Sequence, residues 1–231
     1  MLACFATCNA TEYDISCLKS IKESLEDPSG TLSKWEFTGM SKFGFCEFPR
    51  VRCWGNKNKV HSIDLAGMRL RGPLPIGIIN CTNMSYLDLS SNYLSGPIPS
   101  NIGDGLGYII ALDLSNNNLS GPIPPSIVKW KYINSLRLDN NRLTGQIPPD
   151  MTALERIKVF NVTNNRLSGP VPIFRSSYNF SAESYANNSR LCGGPLKACN
   201  DEDNDDIFIS GFAVGFSLFT ILSMFYMFYF P

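Results

Sequence analysis

Residues 87–99 read Leu87-Asp88-Leu89-Ser90-Ser91-Asn92-Tyr93-Leu94-Ser95-Gly96-Pro97-Ile98-Pro99, and the same pattern returns along the chain. Leu112-Asp113-Leu114 leads to Asn117, Leu119, Gly121 and Ile123-Pro124. Leu136-Arg137-Leu138 leads to Asn141, Leu143, Gly145 and Ile147-Pro148, and Phe160-Asn161-Val162 to Asn165, Leu167, Gly169 and Val171-Pro172. Upstream, Ile63-Asp64-Leu65 opens a looser copy that ends Leu70-Arg71-Gly72-Pro73-Leu74-Pro75, with Met68 where the others have asparagine. The opening apolar residues are 24, 25, 24 and 24 positions apart. Self-similarity at such a period is the mark of a solenoid, in which each unit buries its apolar side only by stacking on its neighbours. The expected fold is therefore an α/β repeat solenoid of five repeats over 60–173, with capped ends.

Within a repeat, the two apolar residues of the LxL run point inward from a short strand, and the residues between and around them point out. The recurrent asparagine belongs inside the turn, where its amide can satisfy backbone groups that would otherwise be unpaired. Gly and Pro in the GxIP segment then bend the chain towards the convex side. Inward positions recur beyond it: Ile78, Cys81, Met84; Ile102, Leu106, Ile109; Ile127, Trp130, Ile133; Met151, Leu154, Ile157. The second repeat holds one extra residue around Gly103-Asp104-Gly105, which should bulge locally and leave the strands in register.

The flanks read as caps. Asp14 can cap a helix whose apolar face carries Ile15, Leu18, Ile21 and Leu25, closed by Pro28-Ser29-Gly30. Together with Trp35, Phe43, Phe45, Phe48 and Trp54, this defines an N-terminal cap over 12–59 that covers the open end of the first repeat. The close pairs Cys46/Cys53 and Cys192/Cys199 flank the repeats, as disulfides of an oxidising compartment would. Cys81 falls at an inward leucine position and reads as a free core thiol, with a bridge to Cys17 as the other possibility. Residues 174–200 form the C-terminal cap.

Twenty basic residues balance twenty acidic ones, which argues against a nucleic-acid partner. Seven Asn-x-Ser/Thr sequons, at Asn9, Asn80, Asn83, Asn118, Asn161, Asn179 and Asn187, point to an extracellular face. Residues 1–11 read as the remnant of a signal peptide, so Asn9 is set aside as a glycan site. Residues 201–206 carry five acids, an expected spacer above a membrane, and 207–230 are 24 uncharged residues, enough to cross a bilayer as a helix. The expected placement is the plasma membrane, single-pass, with the repeats outside.

The LxGxIP form of the repeat resembles the plant-specific class of leucine-rich repeat proteins, which implies a right-handed superhelix. Asp14-Ile15-Ser16-Cys17-Leu18-Lys19-Ser20-Ile21-Lys22, Leu25-Glu26-Asp27-Pro28, Cys46…Cys53-Trp54, Asn80-Cys81, 138–149, Ser184-Tyr185-Ala186-Asn187-Asn188 and Leu191-Cys192-Gly193-Gly194-Pro195-Leu196 narrow it. They resemble the five-repeat receptor-like pseudokinases whose ectodomains bind the somatic embryogenesis receptor kinases and restrain them. Members of that group continue past the membrane into a kinase-like domain, whereas this sequence stops at Pro231. The resemblance implies a membrane-anchored module that associates with a co-receptor kinase ectodomain and modulates hormone or immune signalling. A wall-associated protein that binds secreted enzymes, or a truncated receptor without function, are the other readings.

No catalytic constellation is present: the single histidine, His61, reads as a surface residue, and the acidic run lacks the glycine and spacing of a calcium loop. No cofactor, metal or small-molecule substrate is expected. The candidate partner face comprises the outward residues Tyr86, Asp88, Ser90, Asp113, Ser115, Arg137, Asp139, Asn161 and Thr163. Candidate glycan sites are Asn80, Asn83, Asn118, Asn161, Asn179 and Asn187; a sugar on Asn161 would obstruct the last strand of that face.

Overall fold

A computed structural model describes residues 10–55, 59–175, 178 and 180–199. The expected spacer at 201–206, the candidate membrane span at 207–230 and the sequon at Asn179 lie outside the described residues. The chain is a solenoid with two sheets. The LxL runs form one, in which β2 (Val60–Asp64), β4 (Tyr86–Asp88), β6 (Ala111–Asp113), β8 (Ser135–Arg137) and β10 (Val159–Asn161) lie parallel. A cap strand, β1 (Val51–Cys53), adds to β2 antiparallel.

The second sheet departs from the expected bend at GxIP. Here β3 (Arg71–Pro73), β5 (Tyr93–Pro97), β7 (Asn118–Pro122), β9 (Arg142–Gly145) and β11 (Arg166–Pro170) pair in parallel and end on β12 (Arg190–Cys192) of the C-terminal cap. The Leu-x-Gly stretch is extended because its backbone groups find partners on the next coil. Its glycine supplies one left-handed step per turn, as at Gly96 with φ +78°. Short 3-10 turns such as Ile76–Asn80 and Pro125–Lys129 make the opposite side.

All the expected inward residues are buried, from Ile78 to Ile157. The extra residue of the second repeat leaves register intact: Leu87 pairs with Leu112, and Leu112 with Leu136. The insertion works because its glycines let coils touch. A Cβ on Gly105 would sit 2.4 Å from Ile79 Cβ, and one on Gly103 would run into the Ser126 carbonyl.

The asparagines form a buried ladder. Asn141 Oδ1 accepts the Leu119 N–H at 3.0 Å, while its Nδ2 faces the carbonyls of Leu114, Leu138 and Asp139 at 2.9–3.2 Å. Asn92, Asn117 and Asn165 repeat this arrangement, and Asn92 also serves Met68 N–H, covering the turn that lacks its own asparagine. Asn188 continues it into the cap, accepting from Leu167 N–H and facing the Val162 and Tyr185 carbonyls. The C-terminal cap is thus built as one more coil.

Two cap expectations are corrected. Cys81 is not a free thiol: it is bonded to Cys17, alongside the Cys46–Cys53 and Cys192–Cys199 bridges. The reason is helix α1 (Ala10–Ser24), which lies on the Ile76–Asn80 turn and brings Cys17 within 5.5 Å, between Cα atoms, of Cys81, the residue just after that turn. Asp14 is not an N-cap either. The helix starts four residues earlier, and the fully buried Asp14 carboxylate reaches across to accept the Val60 N–H at 3.0 Å.

Burial raises the Asp14 carboxyl to about 6, against the lowering influence of the Val60 N–H and of Lys59. Its other oxygen, Oδ1, is buried without a hydrogen-bond partner. The folded state therefore holds this proton more tightly than the unfolded chain, whose ordinary value is 3.8. Stability from this group is highest below about pH 4 and is lost as pH rises through about 6. Asp14→Asn should flatten that slope, so that wild type loses about 2.5 kcal/mol relative to the variant between pH 4 and 7.5. Urea unfolding of both proteins across this range checks it, and parallel pH profiles would refute it.

Candidate interaction surface

The strand register brings the outward residues into columns. Ser62, Tyr86, Ala111, Ser135 and Val159 form one row of neighbours, and Asp64, Asp88, Asp113, Arg137 and Asn161 form the next. Between them lie the buried Ile63, Leu87, Leu112, Leu136 and Phe160. Tyr86 and Arg137 are exposed, while Asp88, Asp113, Asn161, Ser90 and Thr163 are half-buried.

Two expected members of the face turn inward. Ser115 and Asp139 are only 5% and 8% exposed. They sit just past the strand ends, where the chain is curling into the asparagine turn. The Ser115 hydroxyl donates to Asp113 Oδ1 at 2.6 Å, and Asp139 Oδ2 accepts from Asn140 at 2.8 Å. Burial raises the Asp139 carboxyl above its ordinary range; the adjacent Asp113 charge adds to this, while its own backbone N–H, Arg137 and Asn140 oppose it.

The acidic column also has a local structural role. Asp88, Asp113 and Asn161 each accept, through Oδ1, the N–H two residues on, at 2.9–3.0 Å. Such Asx turns end each strand. One carboxylate oxygen is used internally, and the other remains available. Arg137 Nε stands 3.9 Å from Asp113 Oδ2, and Arg50 is 3.6 Å from Asp64. Arg50, Asp64 and Arg137 are about half exposed and the contacts are long, so both pairs contribute little to stability and leave the arginines free to exchange partners.

An open hollow of about 490 Å³ lies over this sheet, lined by Arg52, His61, Asp64, Tyr86, Asp113 and Arg137 among others. At its N-terminal end Trp54, 44% exposed, packs on His61 with ring centres 4.2 Å apart, and His61 meets the edge of Tyr86 at 5.3 Å. Trp54 and His61, expected as cap bulk and as a lone surface residue, thus join this face, as do Asp64 and Arg52. Aligning Ile63-Asp64-Leu65 with the later copies would have found Asp64, and with it Ser62. The aromatic cluster carries no sequence signal, because Trp54 is brought there by the cap, just after the antiparallel β1. Among the described residues, no group of three His, Cys, Asp or Glu side chains is placed to hold a metal ion.

The sequons fall on different parts of this scaffold. Asn187 is exposed; Asn80, Asn83 and Asn118 are half-buried. Asn161 stands on the candidate face, and its partner hydroxyl, Thr163 Oγ1, is engaged with Asn161 Oδ1 and the Glu183 carbonyl.

A parallel inner sheet of LxL strands, an asparagine ladder and paired disulfide caps define a leucine-rich repeat ectodomain. Comparisons with known proteins agree. The Leucine Rich Repeat family model matches residues 83–104, 108–130 and 132–154. The inactive LRR receptor-like serine/threonine-protein kinase BIR2 of Arabidopsis thaliana is 52% identical over 196 residues, which are 84% of this chain and 32% of BIR2. The crystal structure of the BIR2 ectodomain from that plant matches with a TM-score of 0.76 at 44% identity, over 80% of this chain and 98% of that one. A chain from the crystal structure of the Arabidopsis BIR3–SERK2 complex matches with a TM-score of 0.75 at 40% identity, over 81% of this chain and 99% of that one. The chain belongs to the plant leucine-rich repeat receptor-like pseudokinases. It spans about a third or less of the length of the curated relatives it matches. The described residues form a repeat domain, and BIR2 is itself named an inactive kinase.

Proposed function

We propose that this chain is an extracellular module, anchored in the plasma membrane by 207–230, that associates with the ectodomain of a leucine-rich repeat co-receptor kinase and restrains it. The observation that carries the reading is the likeness to the BIR2 ectodomain and to a chain of the BIR3–SERK2 complex over nearly the whole of each solved chain. The five-repeat solenoid is short, and strands about 4.8 Å apart give a face too small to enclose an extended peptide alone. A side-on protein contact of about 800 Å² per partner suits it.

The contact surface is Tyr86, Asp88, Asp113 and Arg137 with Ser90, Asn161 and Thr163 at its margin, and the Trp54–His61 cluster extends it. Mixed charge that is exposed and only loosely paired favours specificity over raw affinity. Ser115 and Asp139 support the strand ends from inside. With sequons outside and a single span, the orientation is type I, and the effect on signalling is by occupying the co-receptor.

Reversing both charges, Asp113→Lys with Arg137→Glu, should weaken binding to a somatic embryogenesis receptor kinase ectodomain by at least about tenfold, or about 1.4 kcal/mol. Calorimetry at mildly acidic pH checks it on a variant whose cooperative melting shows it folded; the melting temperature should fall by a few degrees, because Asp113 Oδ1 no longer accepts from Ser115. Unchanged affinity in a folded variant would remove the contact from this sheet.

A further inference from the structure

Five residues occupy one column on the side of the solenoid, just ahead of the inner strands: Lys59, Asn83, Tyr108, Tyr132 and Arg156. Their equivalence follows from the register, since each lies three residues before Ser62, Tyr86, Ala111, Ser135 or Val159, which pair in turn. Three of the four steps along the column are filled by contact. Lys59 Nζ donates to Asn83 Oδ1 at 3.3 Å. Tyr108 and Tyr132 stack with ring centres 5.7 Å apart and planes 12° from parallel. The Arg156 guanidinium stands 5.3 Å from the centre of the Tyr132 ring.

The step from Asn83 to Tyr108 is the open one. Tyr132 covers one face of Tyr108, and among the described residues no second ring or cation covers the other, leaving Tyr108 56% exposed. The residue one coil away on that side opens the sequon Asn83-Met84-Ser85. A sugar ring presents a face of C–H groups that packs on an aromatic face, where the ring's quadrupole is negative. Lys59 holds the Asn83 carbonyl oxygen, and Nδ2 donates to Thr82 Oγ1 at 3.1 Å. An N-linked sugar replaces one of the two amide hydrogens, so both contacts survive the modification.

We propose that Asn83 carries an N-linked glycan whose innermost N-acetylglucosamine packs on the free face of Tyr108, with Tyr132 and Arg156 backing it as a rigid platform. The donor is an oligosaccharide on a lipid pyrophosphate. A bond forms between Asn83 Nδ2 and the sugar C1, the C1–O bond to the carrier breaks, the amide loses one proton, and the lipid pyrophosphate leaves. The glycan then extends the column across its gap and screens that side of the second and third coils. This inference rests on the extracellular placement proposed above.

The full chain, made in a secretory eukaryotic host, separates the two readings by site mapping. Peptide mass spectrometry after enzymatic deglycosylation should find sugar at Asn83. If no sequon is occupied, the extracellular placement fails; if Asn187 or Asn118 is occupied and Asn83 is bare, this proposal alone fails. A cycle of Asn83→Gln and Tyr108→Ala then tests the packing. Asn83→Gln should lower the melting temperature by about 2–4 °C in the wild-type background and by less than half of that beside Tyr108→Ala. The difference should vanish once all glycans are removed. Equal losses in both backgrounds, or a coupling that persists without sugar, would overturn the platform.

Discussion

Replacing Asn141 by leucine should destabilise the ectodomain by about 4 kcal/mol, lowering its melting temperature by about 10 °C. The size follows from what the amide serves. Asn141 is buried, accepts the Leu119 N–H and faces three backbone carbonyls drawn from its own turn and the one before. Leucine is close in size and apolar, so the hydrophobic contribution does not fall. The loss comes from leaving up to four backbone groups buried without partners, each costing about 1–3 kcal/mol before the turn relaxes. Asn141→Asp should be nearly as harmful, because a carboxylate would face the same three carbonyls with no hydrogen to offer. Denaturant unfolding reads both variants. A loss under about 1 kcal/mol for Asn141→Leu would mean that water enters the turn and satisfies it.

Removing the Cys17–Cys81 bridge, as Cys17→Ala with Cys81→Ala, should cost about 4 kcal/mol, more than removing Cys46–Cys53 in the same way. The two bridges close loops of very different length, 64 residues apart against 7. A crosslink that closes the longer loop removes more freedom from the unfolded chain. Alanine fills the space poorly at these two fully buried positions, which adds to the loss. The damage should also be localised. Helix α1 is tied to the first coil by this bridge, by Asp14 to Val60 N–H and by Ser20 Oγ accepting the Gly77 N–H. Hydrogen exchange should therefore accelerate first in Ala10–Ser24. Equal destabilisation by the two bridge deletions, with α1 still protected, would show that the cap is held by packing and not by the crosslink.

These two effects mark the division between sequence and structure. The 24-residue period named the solenoid, its strands and its inward leucines, because a repeat that must bury one side leaves the same residues apolar in every copy. It also placed the four ladder asparagines and both short disulfides. Asn188 was hidden because the apolar period stops at Pro172, yet the backbone of the last coil still needs an amide, and the cap supplies it.

What the sequence could not decide were contacts between segments far apart along the chain. Cys17 meets Cys81 across 64 residues, and Asp14 meets Val60 across 46, only because α1 packs on the first coil. Spacing within a helix says which side is apolar, not which cysteine waits opposite. The second sheet was missed for the same reason, since extended pairing at Leu-x-Gly depends on a neighbour one coil away. On the candidate face, alternation correctly put Tyr86, Asp88, Asp113 and Arg137 outward. It failed at Ser115 and Asp139, where the strand has ended and alternation no longer holds. The repeat determined the scaffold by itself; closure of the chain on the cap decided which side chains are left to meet a partner.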